Sequence, residues 1–145
     1  MGGEPTRGLL DTNILALRAW IPPEHLPDEM VVGAVTVAEL CAGVHLVDGD
    51  DDAASQERAR RVAVVQQTEN EFDALAFDTQ AARAFGQMAA AVRAAGRVPR
   101  RRALDLMIAA TAAAHQLPVY TTNPADFIGL EGLVKVVPVP RPTGP

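Results

Sequence analysis

The sequence predicts an α/β domain in three layers, with a mostly parallel central sheet and helices on both faces. Three observations carry this expectation. Short apolar runs of strand length alternate with longer segments of helical periodicity, no repeat or long linker divides the 145 residues, and a 48% hydrophobic content suits one buried core. Strands that alternate with helices at this spacing build βαβ units, whose crossovers make neighbouring strands parallel.

The elements follow in order. Gly8 to Asp11 is an apolar run ending in Asp-Thr-Asn, and Asn13 to Trp20 after it has a helical pattern. Met30 to Val35 is a second strand, bounded by Pro27 and Asp28. Thr36 is then placed as the N-cap of a helix over Val37 to Val47, with Glu39 at its third position as a capping box requires. Asp48 to Asp52 is an acidic turn, and Ala53 to Phe72 is a surface helix with its charges near the start. Asp73 to Phe77 is a short strand candidate. Asp78 caps a helix through Ala95, whose Ala81, Phe85, Met88 and Val92 recur at intervals of three and four, and Gly96 stops it. Leu104 to His115 is an alanine-rich helix, Pro118 to Thr121 a strand and Val134 to Val137 the last one. Residues 1–137 are thus expected to form one domain, with 138–145 as a proline-rich loose tail.

Composition excludes several functions. Thirteen Lys and Arg against eighteen Asp and Glu give a net charge of −5, which argues against a domain that coats nucleic acid by overall charge. The uncharged run Leu106 to Ala125 contains His115, Gln116 and Pro118, so it is rejected as a membrane span, and the N-terminus reads as lacking an apolar leader. A cytoplasmic protein is expected. Cys41, the one cysteine, forms no intrachain disulfide and reads as a small core residue.

Four acids fall where such a sheet binds ligands, outside the carboxyl ends of its strands. Asp11 ends the first strand, Glu39 lies in the first turn after the second, Asp105 opens the alanine-rich helix and Asp126 follows the Pro118 to Thr121 strand. Carboxylates gathered in one cleft repel unless they are protonated or share a cation. Without His or Cys beside them they select a hard ion such as Mg²⁺ or Mn²⁺, and His25, His45 and His115 have no metal-ligand spacing. Acids holding such an ion suit phosphodiester cleavage. Arg93, Arg97, Arg100, Arg101 and Arg102, just before Asp105, form a basic strip that reads as a solvated run or as phosphate-binding groups.

Four blocks in this order resemble the PIN domain: Leu9-Leu10-Asp11-Thr12-Asn13-Ile14-Leu15, Thr36-Val37-Ala38-Glu39-Leu40, Asp105-Leu106-Met107-Ile108-Ala109-Ala110-Thr111-Ala112 and Thr121-Thr122-Asn123-Pro124-Ala125-Asp126-Phe127. The likeness spans residues 8–137 and is nearest to the VapC-type ribonuclease toxins of bacterial type II toxin-antitoxin systems. It implies a PIN-like fold, a Mg²⁺- or Mn²⁺-dependent endoribonuclease leaving 5′-phosphate and 3′-hydroxyl ends, a small VapB-type antitoxin and self-association through helices near the N-terminus. It also implies that Asp11, Glu39 and Asp105 hold the metal, with Asp11 and Asp105 the most direct ligands, that Thr12 and Asn13 support Asp11, and that Thr122 and Asn123 complete the surroundings. Arg97, Arg100, Arg101 and Arg102 are the residues expected on RNA. The fourth block departs at Asn123, where many members carry an acid; Asp126 is placed in that role, which suits one tightly held ion and a second recruited with substrate.

Plainer readings stand beside these. Asp11 is also a helix cap, Glu39 half of a capping box, and Asp126 and Asn123 turn formers. A receiver-type phosphoacceptor needs a lysine near Asp11, but Lys135, the chain's one lysine, is in the last strand. A haloacid dehalogenase-type phosphatase needs a second acid two residues after Asp11, where Asn13 stands. Trp20 and Leu17 are assigned to the core or to a partner surface, with nothing to choose between them.

Overall fold

A computed structural model describes residues 3–143. Its centre is a four-stranded parallel sheet in the order β2-β1-β3-β4, where β1 is Arg7–Leu10, β2 Glu29–Val31, β3 Val119–Thr121 and β4 Val136–Pro138. Five α-helices connect the strands: α1 Thr12–Leu17, α2 Ala34–His45, α3 Asp52–Glu71, α4 Thr79–Ala94 and α5 Ala103–Ala114. Leu9 of β1 sits in register with Val31 of β2 and Val119 of β3, and Tyr120 with Val137 of β4. The expected three-layer α/β architecture is what forms.

Side chains of a strand alternate between faces, and here each face builds its own core. Leu9 and Val119 pack with Leu106, Ile108, Ala109, Ala112, Met88 and Phe127. Leu10 and Tyr120 pack on the other side with Ile14, Leu15, Ile21, Val32 and Val139. Burying a side chain such as Leu9 or Leu10 contributes roughly 1.5–3 kcal/mol, so β1 is anchored from both faces. The alanines of α5 let it lie close to the sheet, and Leu106, Ile108, Ala109, Ala110, Thr111 and Ala112 are all buried along it.

Several boundaries differ from expectation. β2 stops at Val31, because the chain leaves the sheet at Gly33 to begin α2 at Ala34. Gly33 is therefore the N-cap, and Thr36 lies inside the first turn, fully buried rather than capping it. The first helix is short: α1 ends at Leu17 and a 3₁₀ turn continues it over Arg18–Trp20. The strand expected over Asp73 to Phe77 is reduced to a single bridge between Leu75 and Gly33. Cys41 is exposed on α2, not in the core, since the buried residues of that helix are Val35 and Thr36. At the other end β4 includes Pro138, and Val139 is buried with its N–H bonded to the Thr121 carbonyl at 2.8 Å, so these two residues belong to the packed sheet. Gly144 and Pro145 of the expected tail lie outside the described residues. Asp78 caps α4 as expected, its Oδ1 accepting from the Ala81 N–H at 3.0 Å, and Gly96 takes φ +80° just past the helix.

One close approach is decisive for the sheet. A Cβ at Gly8 would fall 2.5 Å from Tyr120 Cδ1 and closer still to Cε1, so only glycine lets that ring cover β1. We expect Gly8→Ala to lower stability by about 1–3 kcal/mol in a urea melt. Adding Tyr120→Val should recover part of the loss; equal losses in the single and double variants would show that the ring is not the obstacle.

Candidate active site

The sheet places β2 on one side of β1 and β3 on the other, so the strand order reverses between β1 and β3. Open parallel sheets bind ligands at that point. Asp11 follows β1 directly, and Thr121 ends β3 beside it.

Asp11 is held tightly. It is 3% exposed, and its Oδ1 accepts the Thr12 N–H at 2.8 Å as the N-cap of α1. Its Oδ2 accepts the Thr121 hydroxyl at 2.7 Å and the Asn13 amide at 3.1 Å. One oxygen thus caps α1, as the plainer reading of Asp11 has it, while the other joins two strands. Asn13 supports it as expected, and its Oδ1 also accepts the Thr122 N–H at 3.3 Å.

Thr12 differs from expectation. Its hydroxyl donates to Glu39 Oε1 at 2.7 Å and lies 3.1 Å from the buried Thr36 hydroxyl, so its side chain serves Glu39 and only its N–H serves Asp11. Glu39 is the sixth residue of α2, beyond reach of a capping box, and turns towards α1 instead. Thr121 and Thr36 are the residues that sequence reasoning passed over. A hint existed for Thr121, since a hydroxyl at the end of the strand paired with β1 must lie near the acid that ends β1. Thr122 contributes its N–H, while its own buried hydroxyl finds no partner among the described residues. Asn123 is exposed and gives its N–H to Thr121 Oγ1 at 2.9 Å.

Asp105 stands in the first turn of α5 and Asp126 in a 3₁₀ turn over Pro124–Phe127. Arg102 Nη1 donates to Asp126 Oδ1 at 2.7 Å, and Arg97 Nη1 donates to the Ala125 carbonyl at 3.3 Å. The basic strip is therefore divided, for Arg100 and Arg101 are exposed and in no ion pair among the described residues. His25, His45 and His115 fall in a loop turn, at the end of α2 and just past α5.

Residues 9–132 match the PIN domain. This chain belongs to the PIN domain family. It is 32% identical over 139 residues to Ribonuclease VapC5 of Mycobacterium tuberculosis, a match covering 94% of this chain and 96% of that protein. A crystal structure of VapBC-5, a member of the VapBC family of toxin-antitoxin systems from the same organism, superposes with a TM-score of 0.77 at 32% identity. It covers 93% of this chain and 100% of that one. DNA-bound VapBC from Salmonella typhimurium matches at 26% identity with a TM-score of 0.63, over 90% of this chain and 96% of that one.

The acids of this PIN domain feel one another. Burial raises Asp11 above the ordinary carboxylate range despite its hydrogen bonds from Thr121 and Thr12, and the charge of Asp126 adds to the rise. Glu39 is raised by burial and by Asp11, against the hydrogen bond from Thr12. Asp105 is pushed up to about 7, first by burial and then by the charges of Asp126, Asp11 and Glu39, with Arg102 opposing. No hydrogen bond offsets its rise. As the side chains stand, no three Asp, Glu, His or Cys groups among the described residues form a ready ligand set for an ion. The donor chemistry nevertheless fits one: Asp11, Glu39 and Asp105, each raised in its affinity for positive charge, stand with the Asp126 carboxylate as oxygen donors alone, which favours a hard divalent cation over a soft one.

The sign of the pH dependence follows from Asp105. Its folded-state affinity for a proton exceeds that of the unfolded chain, so the stabilisation is complete below the unfolded carboxylate range, near 4, and is lost as pH rises through about 7. With EDTA present we expect the wild-type midpoint to fall across that interval in thermal melts taken at successive pH values. Asp105→Asn should flatten the fall and melt no lower than wild type at pH 8. A steeper fall in the variant would show that Asp105 is not the strained group.

Proposed function

We propose that this PIN domain is a Mg²⁺- or Mn²⁺-dependent endoribonuclease, a toxin held inactive by a small VapB-type antitoxin. The observation that carries the reading is that Thr12 is bonded to both Asp11 and Glu39 beside the reversal point of the sheet, with Asp105 and Asp126 near enough for the charges to act on one another. It is supported by 32% identity, over nearly the whole chain, to a protein named as a ribonuclease.

Asp11 and Asp105 would be the most direct ligands of the ion, with Glu39 and Asp126 completing the set. Such an ion neutralises phosphate charge, makes water a stronger acid and stabilises the leaving 3′ oxygen. The residues of the chain do the rest. Thr121, Asn13 and the Thr12 N–H fix the plane of the Asp11 carboxylate, so its rotation is frozen in advance of substrate. Glu39, steadied by Thr12, is the group to orient the attacking water and take its proton, leaving 5′-phosphate and 3′-hydroxyl ends. Arg100 and Arg101, exposed beside the site, would bind phosphates flanking the scissile bond.

The phosphoacceptor alternative loses its needed cation: Lys135 precedes β4, at the amino end of the sheet, whereas Asp11 lies at the carboxyl end. For the antitoxin, a groove between α1, α2 and α3 lined by Ala16, Leu40, Gly43 and Val64 leads to Glu39 and offers a path for a partner segment to the acids. A homodimer using the N-terminal helices completes the proposed assembly, and half-exposed Trp20 lies in that region. No helix among the described residues is long and apolar enough to cross a membrane, and the proposed RNA substrate would be met in the cytoplasm.

Purified chain incubated with total RNA should cut it with Mg²⁺ or Mn²⁺ and not with EDTA. Asp11→Asn and Asp105→Asn should each slow cutting by at least ~100-fold, the scale on which losing one transition-state contact acts, while replacement of all three histidines leaves it intact. Metal-independent cutting, or its loss in the histidine variant with the fold preserved, would overturn the reading. Arg100→Gln with Arg101→Gln should weaken RNA binding and lower the salt slope by roughly 1.4, at about 0.7 per lost single-strand phosphate contact. The cut positions should stay the same.

A further inference from the structure

Of the four acids, Asp126 is the one bound to a guanidinium among the described residues. Arg102 closes the 3₁₀ turn Pro99–Arg102 and stands three residues ahead of Asp105, while Asp126 lies 24 residues further on in the turn after β3. The Arg97 bond to the Ala125 carbonyl fastens the same two segments together a second time. This connector therefore reaches the site twice, and only the Arg102 contact takes up a carboxylate.

The four acids differ in their freedom. Asp11 is buried and held by three donors, and Glu39 is tied to Thr12. The Arg102 and Asp126 side chains are 33% and 31% exposed, and a pair so wetted is worth no more than about fivefold in an equilibrium. It biases Asp126 without locking it. A divalent ion competes for the carboxylate, and a phosphate competes for the guanidinium, whose planar fork accepts either anion equally well.

We infer that Arg102 is a positioning residue that withholds Asp126 from the metal until another anion takes its guanidinium, so that the ligand set passes between three acids and four. The inference rests on the metal-dependent reading above. The anion the surroundings favour is an RNA backbone phosphate, because Arg102 continues directly from the exposed Arg100 and Arg101. Transfer of Arg102 from carboxylate to phosphate would release Asp126 at the moment substrate arrives. Ion and RNA would then each tighten the other's binding, as linkage demands.

Mn²⁺ binding to the full chain, followed by electron paramagnetic resonance of the free ion and without any RNA, tests this in five proteins: wild type, Asp105→Asn as the reference for a lost ligand, Arg102→Gln, Asp126→Asn and the Arg102→Gln/Asp126→Asn double variant. Circular dichroism checks that each is folded. We expect Asp126→Asn to bind Mn²⁺ within about twofold of wild type, since its ligand is mostly withheld, and Arg102→Gln to bind roughly threefold more tightly, the most that so weak a pair allows, with the double variant returning near wild type. Arg102→Lys, which keeps the charge and loses the fork, should fall between wild type and Arg102→Gln, and it carries the same test should the Gln variant not fold. The inference is overturned if Asp126→Asn alone weakens Mn²⁺ binding as much as Asp105→Asn, because Asp126 is then a ligand from the start. It is equally overturned if the double variant keeps the whole gain of Arg102→Gln, which would make the effect one of net charge. Failure of all these proteins to bind Mn²⁺ would defeat the metal-dependent reading itself, and this inference with it; a failed cycle with Mn²⁺ still bound defeats the inference alone.

Discussion

Like charges brought to one edge of a parallel sheet repel, and the arrangement around the β1 and β3 ends can be understood as four different answers to that repulsion. Asp11 is offset by three hydrogen bonds, Glu39 by a hydroxyl and Asp126 by a guanidinium, while Asp105 has burial and three neighbouring charges against it. The strain is concentrated rather than shared, so one residue carries most of the tendency to take up positive charge. Such a site is sustained by packing elsewhere, which explains why both faces of β1 are buried to completion at Leu9 and Leu10. Loss of grip on β1 would let Asp11 move, and with it the alignment of Thr121 and Asn13.

Asp11 and Asp105 were legible in the sequence because they stand at a strand end and a helix start, positions that local pattern fixes well, whereas Glu39 lies more than a turn into α2. The fold class was legible for the same reason. The Thr36 cap was misplaced because Thr36 and Glu39 have the spacing of a capping box, while the turn at Gly33 had already started the helix at Ala34. In consequence Glu39 is freed from a local duty and faces α1. Asp73 to Phe77 has the composition of a strand, yet only Leu75 pairs, and it does so with Gly33, past the end of β2 where the chain is already turning into α2.

What the sequence concealed was contact between distant residues. Thr121 and Asp11 are 110 positions apart, and of two adjacent threonines only the register of β3 against β1 determines which faces the carboxylate. The Arg102 and Asp126 pair is hidden in the same way. A run of arginines reads as one surface, but its five members part: Arg93, Arg100 and Arg101 are exposed, while Arg97 and Arg102 bond onto the Pro124–Phe127 turn. Cys41 was misread because apolar neighbours in a helix say little about which side meets the sheet.

The two margins of the sheet are finished differently. Just past the end of β2, the Leu75 N–H and carbonyl bond to the Val32 carbonyl and the Ala34 N–H at 2.9 and 2.8 Å, so a single residue pairs the backbone where the chain leaves the sheet. Beyond β4, Pro138 ends the strand and Pro140 and Pro142 follow at alternate positions, removing the donors that an incoming strand would need. Strand addition, the route by which exposed sheets recruit foreign chains into fibrils, is thereby hindered along the β4 flank, while the short β2 offers a template of only three residues.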